Sequence, residues 1–163
     1  MNQAGVSKND RKCVNVCLKK KEKENTPVVS LELKNGKVIT GKRSLLFGAP
    51  ADLLLNALKT LAKIDDSLTL ISRNVIEPIQ KLKTEDLKNH NPRLHAEEVL
   101  IALAIQATTN TLSEHALKQL PKLAGCQAHS SIILPESDMK TFKKLGIEIT
   151  EEPLSYANKL YTK

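Results

Sequence analysis

Residues 89–105, NHNPRLHAEEVLIALAI, set two histidines, an arginine and two glutamates against the start of a strongly apolar helical pattern. A His-x-Glu step at a helix start, here His95-Ala96-Glu97, can supply a metal ligand and a proton-shuttling carboxylate from one turn. Zinc takes about four ligands, and nothing in the spacing of His90, His95 and the nearby carboxylates fixes such a set, so no metal is assigned. Two other readings stand beside it. In one, the asparagines cap the helix, the glutamates favour its positive end and the histidines are satisfied polar groups. In the other, the stretch is one wall of a pocket for an anionic small molecule. Lys42 and Arg93 then supply positive charge, His90 and Asn91 polar contacts, and His95 and Glu97 are the candidate proton-transfer groups.

A second cluster lies upstream. Gly36 to Arg43 (GKVITGKR) matches seven positions of the phosphate-loop pattern GxxxxGK[ST], with Arg43 in place of the hydroxyl residue that reaches magnesium. Such a loop must bend between strand and helix so that successive N–H groups face the phosphates. KVIT instead reads as a strand following an Asn-Gly turn, so a nucleotide-hydrolysing loop is not expected. A milder role survives: Lys42, Arg43 and Ser44 follow a strand and precede a helix beginning near Pro50, a place where cations can hold an anion.

These residues need elements to position them. Asn9 or Asp10 could cap a helix to about Lys23 whose stripe, Val14, Cys17 and Leu18, predicts a weakly packed element. VVSLEL and KVIT around Asn35-Gly36 predict a β-hairpin closed by that dipeptide. ADLLLNALKTLAKI repeats Ala51, Leu54, Leu55, Leu58, Leu61 and Ala62 at helical spacing. LTLIS, 68–72, reads as a short buried strand, and RNVIEPIQKLK as a helix that Pro78 ends or kinks. Glu97 to about Thr108 is apolar nearly all round, which predicts a central helix covered on several sides. LSEHALKQLPKLAG predicts a helix capped at Ser113 and stopped at Gly125. AHSSIIL, PESDMKTFKKLG and IEIT then predict strand, helix and parallel strand. The expected division is a basic helical segment over 1–25, an α/β domain over 26–150 and a tail over 151–163.

Composition narrows the function classes. The chain of 163 residues carries 25 Lys/Arg against 18 Asp/Glu, a net charge of +7, but seven Lys/Arg against three Asp/Glu in residues 1–25 account for +4 of it. With aromatics at 2%, base-stacking platforms are scarce and nucleic acid is not the expected partner. No apolar run approaches the ~20 residues of a membrane span, and Cys13, Cys17 and Cys126 cannot all pair, so a reduced, cytoplasmic chain without a membrane partner is expected. No cofactor motif is legible and no cofactor is expected.

The element order hairpin, helix, strand, HAE-led helix, strand, Pro-led helix, strand resembles the α/β three-layer αβα sandwich of the cytidine-deaminase-like fold, here with an N-terminal helical segment. In zinc-dependent deaminases a Pro-Cys-x-x-Cys at the second helix start supplies two thiolates. The equivalent entrance here reads Leu134-Pro135-Glu136-Ser137-Asp138, without cysteine.

A longer likeness covers the whole chain. NGKVITGK, LLFGAPADLLLNALKTLAKI, LISRNVIEPIQKLK, NHNPRLHAEEVLIALAI, ALKQLPKLAGCQAHSSIIL and FKKLGIEIT together resemble the C-terminal region of the domain-of-unknown-function 1846 family, which comprises longer bacterial cytoplasmic proteins. The resemblance implies an upstream α/β region with its own glycine-rich phosphate-binding stretch, absent here, and hence a detached or split C-terminal portion. Members tend to have GKT where this chain has Gly41-Lys42-Arg43. Some members are labelled ATP-dependent peptidase, yet the chain has no HExxH and no convincing nucleophile–base pair. The expected role is therefore a small-molecule binding module for a phosphate or nucleotide-like ligand, or an interaction module, completing a larger protein and inactive alone. The alternative is part of a split enzyme acting on such a ligand. A separate chain carrying the missing region, or further copies of this one, are the expected partners.

Overall fold

The structure is a computed structural model that describes residues 12–152. The predicted cap at Asn9 or Asp10, and the tail from residue 153 onward, lie outside the described residues. The elements are α1 (Lys12–Glu24), β1 (Val28–Glu32), β2 (Val38–Lys42), α2 (Ala49–Ala62), α3 (Arg73–Lys81), α4 (Ala96–Ala107), α5 (Thr111–Leu117), β3 (Gln127–Ser130), α6 (Glu136–Lys144) and β4 (Glu148–Glu151). The fold is mixed α/β on one sheet of order β2-β1-β3-β4, in which β1 runs antiparallel to both neighbours and β3 runs parallel to β4.

Alternation along β1 sorts the two faces. Val29 and Leu31 point into the main core with Leu54, Leu58 and Leu103 from the helices after the hairpin. Ser30 points the other way and its hydroxyl donates to the Cys13 carbonyl on α1. The α1 stripe is narrow as predicted, but it docks firmly: Cys13, Val14 and Cys17 are fully buried. Burial pushes the Cys17 thiol up to about 12, so it sits there as a packed thiol and not a thiolate. His129 is buried on the sheet between Thr150 Oγ1 at 2.7 Å and Glu152 Oε2 at 2.6 Å.

The hairpin forms, with one change. Gly36 N–H bonds to Leu33 O at 2.8 Å, and the positive φ of 89° falls on Gly36 and not on Asn35. The turn is thus centred on Lys34-Asn35 with the glycine following it, and the Asn35 carboxamide accepts from Lys37 N–H at 2.9 Å. Gly41 lies where β2 meets α2, and a Cβ there would stand 2.2 Å from Leu53 N and 2.7 Å from Ala49 O. Its role is close strand–helix approach.

Four local expectations are corrected. LTLIS is irregular, because its backbone finds side chains instead of a strand: Leu70 O accepts from Ser113 Oγ at 2.6 Å and Ser72 N–H donates to Gln106 Oε1 at 2.8 Å. That use of Ser113 leaves the α5 cap to Asn110, whose side chain accepts from Ser113 N–H at 3.1 Å. α3 continues through Pro78, and the irregularity comes later as a π-helical turn, Leu82–Asp86. α4 buries Ala96, Val99, Ala102 and Leu103, but Ile101 and Ile105 on its outer side are more than half exposed. No helix among the described residues is long and apolar enough to cross a membrane.

Candidate functional site

The starts of α2, α4 and α6 meet at a cavity of about 240 Å³. Gly48, Ala49 and Pro50 come from the first, His95 from the second, and Pro135 and Asp138 from the third, with Arg43, Asn91 and Arg93 reaching in from the connecting loops. Backbone pairing holds those loops together: Gly48 N–H donates to Leu94 O at 3.1 Å and Leu94 N–H to Leu46 O at 2.9 Å. Arg93 adds a cross-tie, its Nε donating to Ser44 O at 2.6 Å, while its own N–H is held by the Asn91 side chain at 3.0 Å.

Of the residues singled out in the sequence, Arg43, Asn91, Arg93 and His95 line this cavity and Lys42, Ser44, His90 and Glu97 do not. The Lys42 ammonium pairs with Glu24 of α1 at 3.0 Å and so ties that helix to β2. Ser44 Oγ accepts from Leu46 and Phe47 N–H at 3.3 and 3.1 Å, a local turn. His90 and Glu97 are exposed. Neither Arg43 nor Arg93 has a carboxylate within ion-pair distance among the described residues.

Two groups that sequence reasoning did not single out shape the site. Asp138, 2% exposed, caps α4 from the neighbouring helix: its Oδ1 accepts from Ala96 N–H at 2.9 Å. Its Oδ2 stands 3.6 Å from His95 Nδ1, an ion-pair separation too long for a hydrogen bond. Lys83, buried in the π-helical turn, donates to Arg93 O and to Glu98 Oε1 at 2.8 Å, and the same oxygen accepts from His95 N–H at 2.7 Å. Only the Asp138 position carried a hint, an acid in the first turn of a helix entered from a strand. Lys83 gave none, because burial of a lysine in a polar stretch depends on the π turn.

The Lys83–Glu98 pair fixes the 91–95 segment. Glu98→Ala should cost about 2 kcal/mol in urea unfolding, below the ~3–5 kcal/mol of a fully buried pair because Glu98 is 32% exposed. A change under about 0.5 kcal/mol, the range of ordinary surface substitutions, would show that the pair does not anchor the segment.

His95 titrates in a useful range. The adjacent Asp138 carboxylate raises its pKa above the ordinary 6.5, against partial burial, which lowers it. A raised folded-state pKa contributes stability that is fully present below 6.5 and is lost as pH rises through the folded value. The stability advantage of the wild type over His95→Gln is therefore expected to shrink as the buffer moves from below pH 6.5 into the alkaline range. An advantage that is flat with pH, measured by chemical denaturation, would mean that His95 carries no proton into the fold. Chemically, the protonated imidazole donates to an anion and the neutral one can accept a proton from a bound group. Among the described residues, no three His, Cys, Asp or Glu side chains cluster closely enough to hold a metal ion.

Known proteins resemble the chain along its whole length. A UPF0371 protein of Streptococcus pyogenes serotype M5 (strain Manfredo) is 46% identical over 163 residues, covering 100% of this chain and 33% of the relative. One from Streptococcus thermophilus (strain CNRZ 1066) is 45% identical over the same span. The chain thus spans about a third of the length of the relatives it matches. Residues 9–161 match the family described as "Domain of unknown function DUF1846, C-terminal", and the chain belongs to that family.

Proposed function

We propose that this domain binds a small anionic molecule, a phosphate ester, in the cavity at the starts of α2, α4 and α6, as a binding module that completes a larger protein and turns nothing over alone. One observation carries the reading: two guanidiniums, Arg43 and Arg93, line a cavity without carboxylate partners among the described residues. Arginine's fixed fork suits phosphate oxygens. The helix starts add positive potential, although the Ala96 N–H of α4 is already taken by Asp138. Lys42 and Ser44 act here from behind, through Glu24 and the loop turn.

The relatives extend well beyond the span that this chain matches, and the region they have beyond it, carried on the same or a separate chain, is the partner proposed for this domain. The order of elements supports the cytidine-deaminase-like arrangement. His95 and the Pro135–Asp138 helix start then share the cavity in which a deaminase would assemble its ligands. The His95–Asp138 pair favours the second reading, part of a split enzyme on a phosphorylated or nucleotide-like substrate, with His95 as the proton-transfer group.

The test is a thermal-shift series with inorganic phosphate and phosphate esters against chloride at matched ionic strength. A saturable rise in the unfolding midpoint is expected. The same midpoint with every phosphate compound at millimolar concentration would overturn the binding reading.

A further inference from the structure

We propose that the cavity takes a small polyol phosphate, an aliphatic compound bearing hydroxyl groups and one phosphate, in preference to a nucleotide. This rests on the anion-site reading above and adds which anion is selected. The first argument is size. At about 240 Å³ the cavity falls below the ~300–1,000 Å³ of pockets that enclose drug-sized ligands. A phosphate and a few carbons suit it, whereas a base would stand outside. The second argument is surface. Pro27, Ala49, Pro50, Ile132, Leu134 and Pro135 make the non-polar lining, and no Phe, Tyr or Trp is among the lining residues. The only aromatic ring offered to a nucleobase there is the small His95 imidazole, which stands beside Asp138.

The third argument is the polar pattern. Asp138 is a nearly buried acceptor in an otherwise cationic cavity, with Oδ1 occupied by Ala96 N–H and Oδ2 no closer than 3.6 Å to His95 Nδ1. A carboxylate accepts and cannot donate. Inorganic phosphate can reach it only with its own P–O–H, which brings a second negative charge against the carboxylate, whereas a neutral alcohol hydroxyl donates to Oδ2 without that repulsion. A polyol phosphate satisfies both ends, with its phosphate on Arg43 and Arg93 and a hydroxyl on Asp138.

The experiment is calorimetric titration of the whole chain, at one pH and ionic strength, with inorganic phosphate, glycerol 3-phosphate, ribose 5-phosphate and AMP. Wild type and Asp138→Asn are compared. Asparagine keeps an oxygen for Ala96 N–H and turns an amide toward the cavity, and its unfolding midpoint checks the fold. Expected is a preference of about tenfold for a polyol phosphate over both inorganic phosphate and AMP, the size of one charge-assisted hydrogen bond. Asp138→Asn should remove most of the advantage over inorganic phosphate while phosphate itself binds as well or better. If that variant does not fold, the wild-type ranking still decides. AMP binding as tightly as ribose 5-phosphate, in a manner lost in Arg93→Ala, would overturn the preference and leave the anion site standing. A polyol advantage that survives Asp138→Asn would overturn the role given to Asp138. No binding by any of the four would overturn the inference together with the reading it rests on.

Discussion

Gly41→Ala should destabilise the domain by about 3 kcal/mol or more, at the upper end of the overpacking range. The added methyl would stand 2.2 Å from Leu53 N, 2.5 Å from Leu53 Cα and 2.7 Å from Ala49 O. Those are backbone atoms of α2, which cannot rotate away as a side chain can. Relief requires lifting the helix off β2, and α2 carries Leu53, Leu54 and Leu58, all fully buried. The same lift would move Gly48, Ala49 and Pro50, the α2 wall of the cavity. Urea unfolding of both proteins reads the effect as a lower midpoint at unchanged slope. Failure to fold lies in the expected direction, whereas a loss below about 0.5 kcal/mol, typical of a surface change, would mean that the strand and helix are not so closely apposed. The residue that gave the chain its partial phosphate-loop pattern is thus a packing glycine, and GKVITGK describes a strand.

Most of the frame was legible because it follows from local rules. Leu54, Leu55 and Leu58 announced α2 by spacing, Pro135 and Gly146 bracketed α6, and the hairpin lay where Asn35-Gly36 put it. What failed to read depends on partners distant in sequence. LTLIS looked like a strand because Leu70 and Ile71 are buried, yet burial arises here under α4 and α5 through Gln106 and Ser113. α4 looked enclosed because its sequence is apolar all round, but Ile101 and Ile105 face outward in a chain about a third as long as its relatives. Within the site, Arg93, His95 and Asn91 were read from one continuous stretch and do share a cavity. Lys42 did not join them, since strand alternation and the nearby Glu24 turn its ammonium toward α1. Asp138 escaped because it comes from 43 residues beyond His95, and sequence spacing says nothing of helix starts brought together by a sheet.

The comparison of Arg93→Ala with wild type tests the anion site most directly. The Arg93 side chain makes one hydrogen bond among the described residues, Nε to the carbonyl of exposed Ser44, and the backbone bonds to Asn91 and Lys83 survive its removal, so truncation should lower unliganded stability by about 1 kcal/mol at most. Its remaining guanidinium nitrogens have no carboxylate partner among the described residues and are free to meet a ligand. A phosphate ester at a hundred times its dissociation constant should stabilise the wild type by about 2.7 kcal/mol through mass action. The variant should lose nearly all of that gain at the same concentration. Denaturant unfolding of both proteins, with and without phosphate ester, gives four midpoints from which the two effects separate. A ligand-dependent shift in the wild type that vanishes in the variant, with near-equal unliganded midpoints, is the predicted result. Equal ligand shifts in the two proteins, or no shift in either alongside a strongly destabilised variant, would contradict the account and leave Arg93 as a structural tie between two loops.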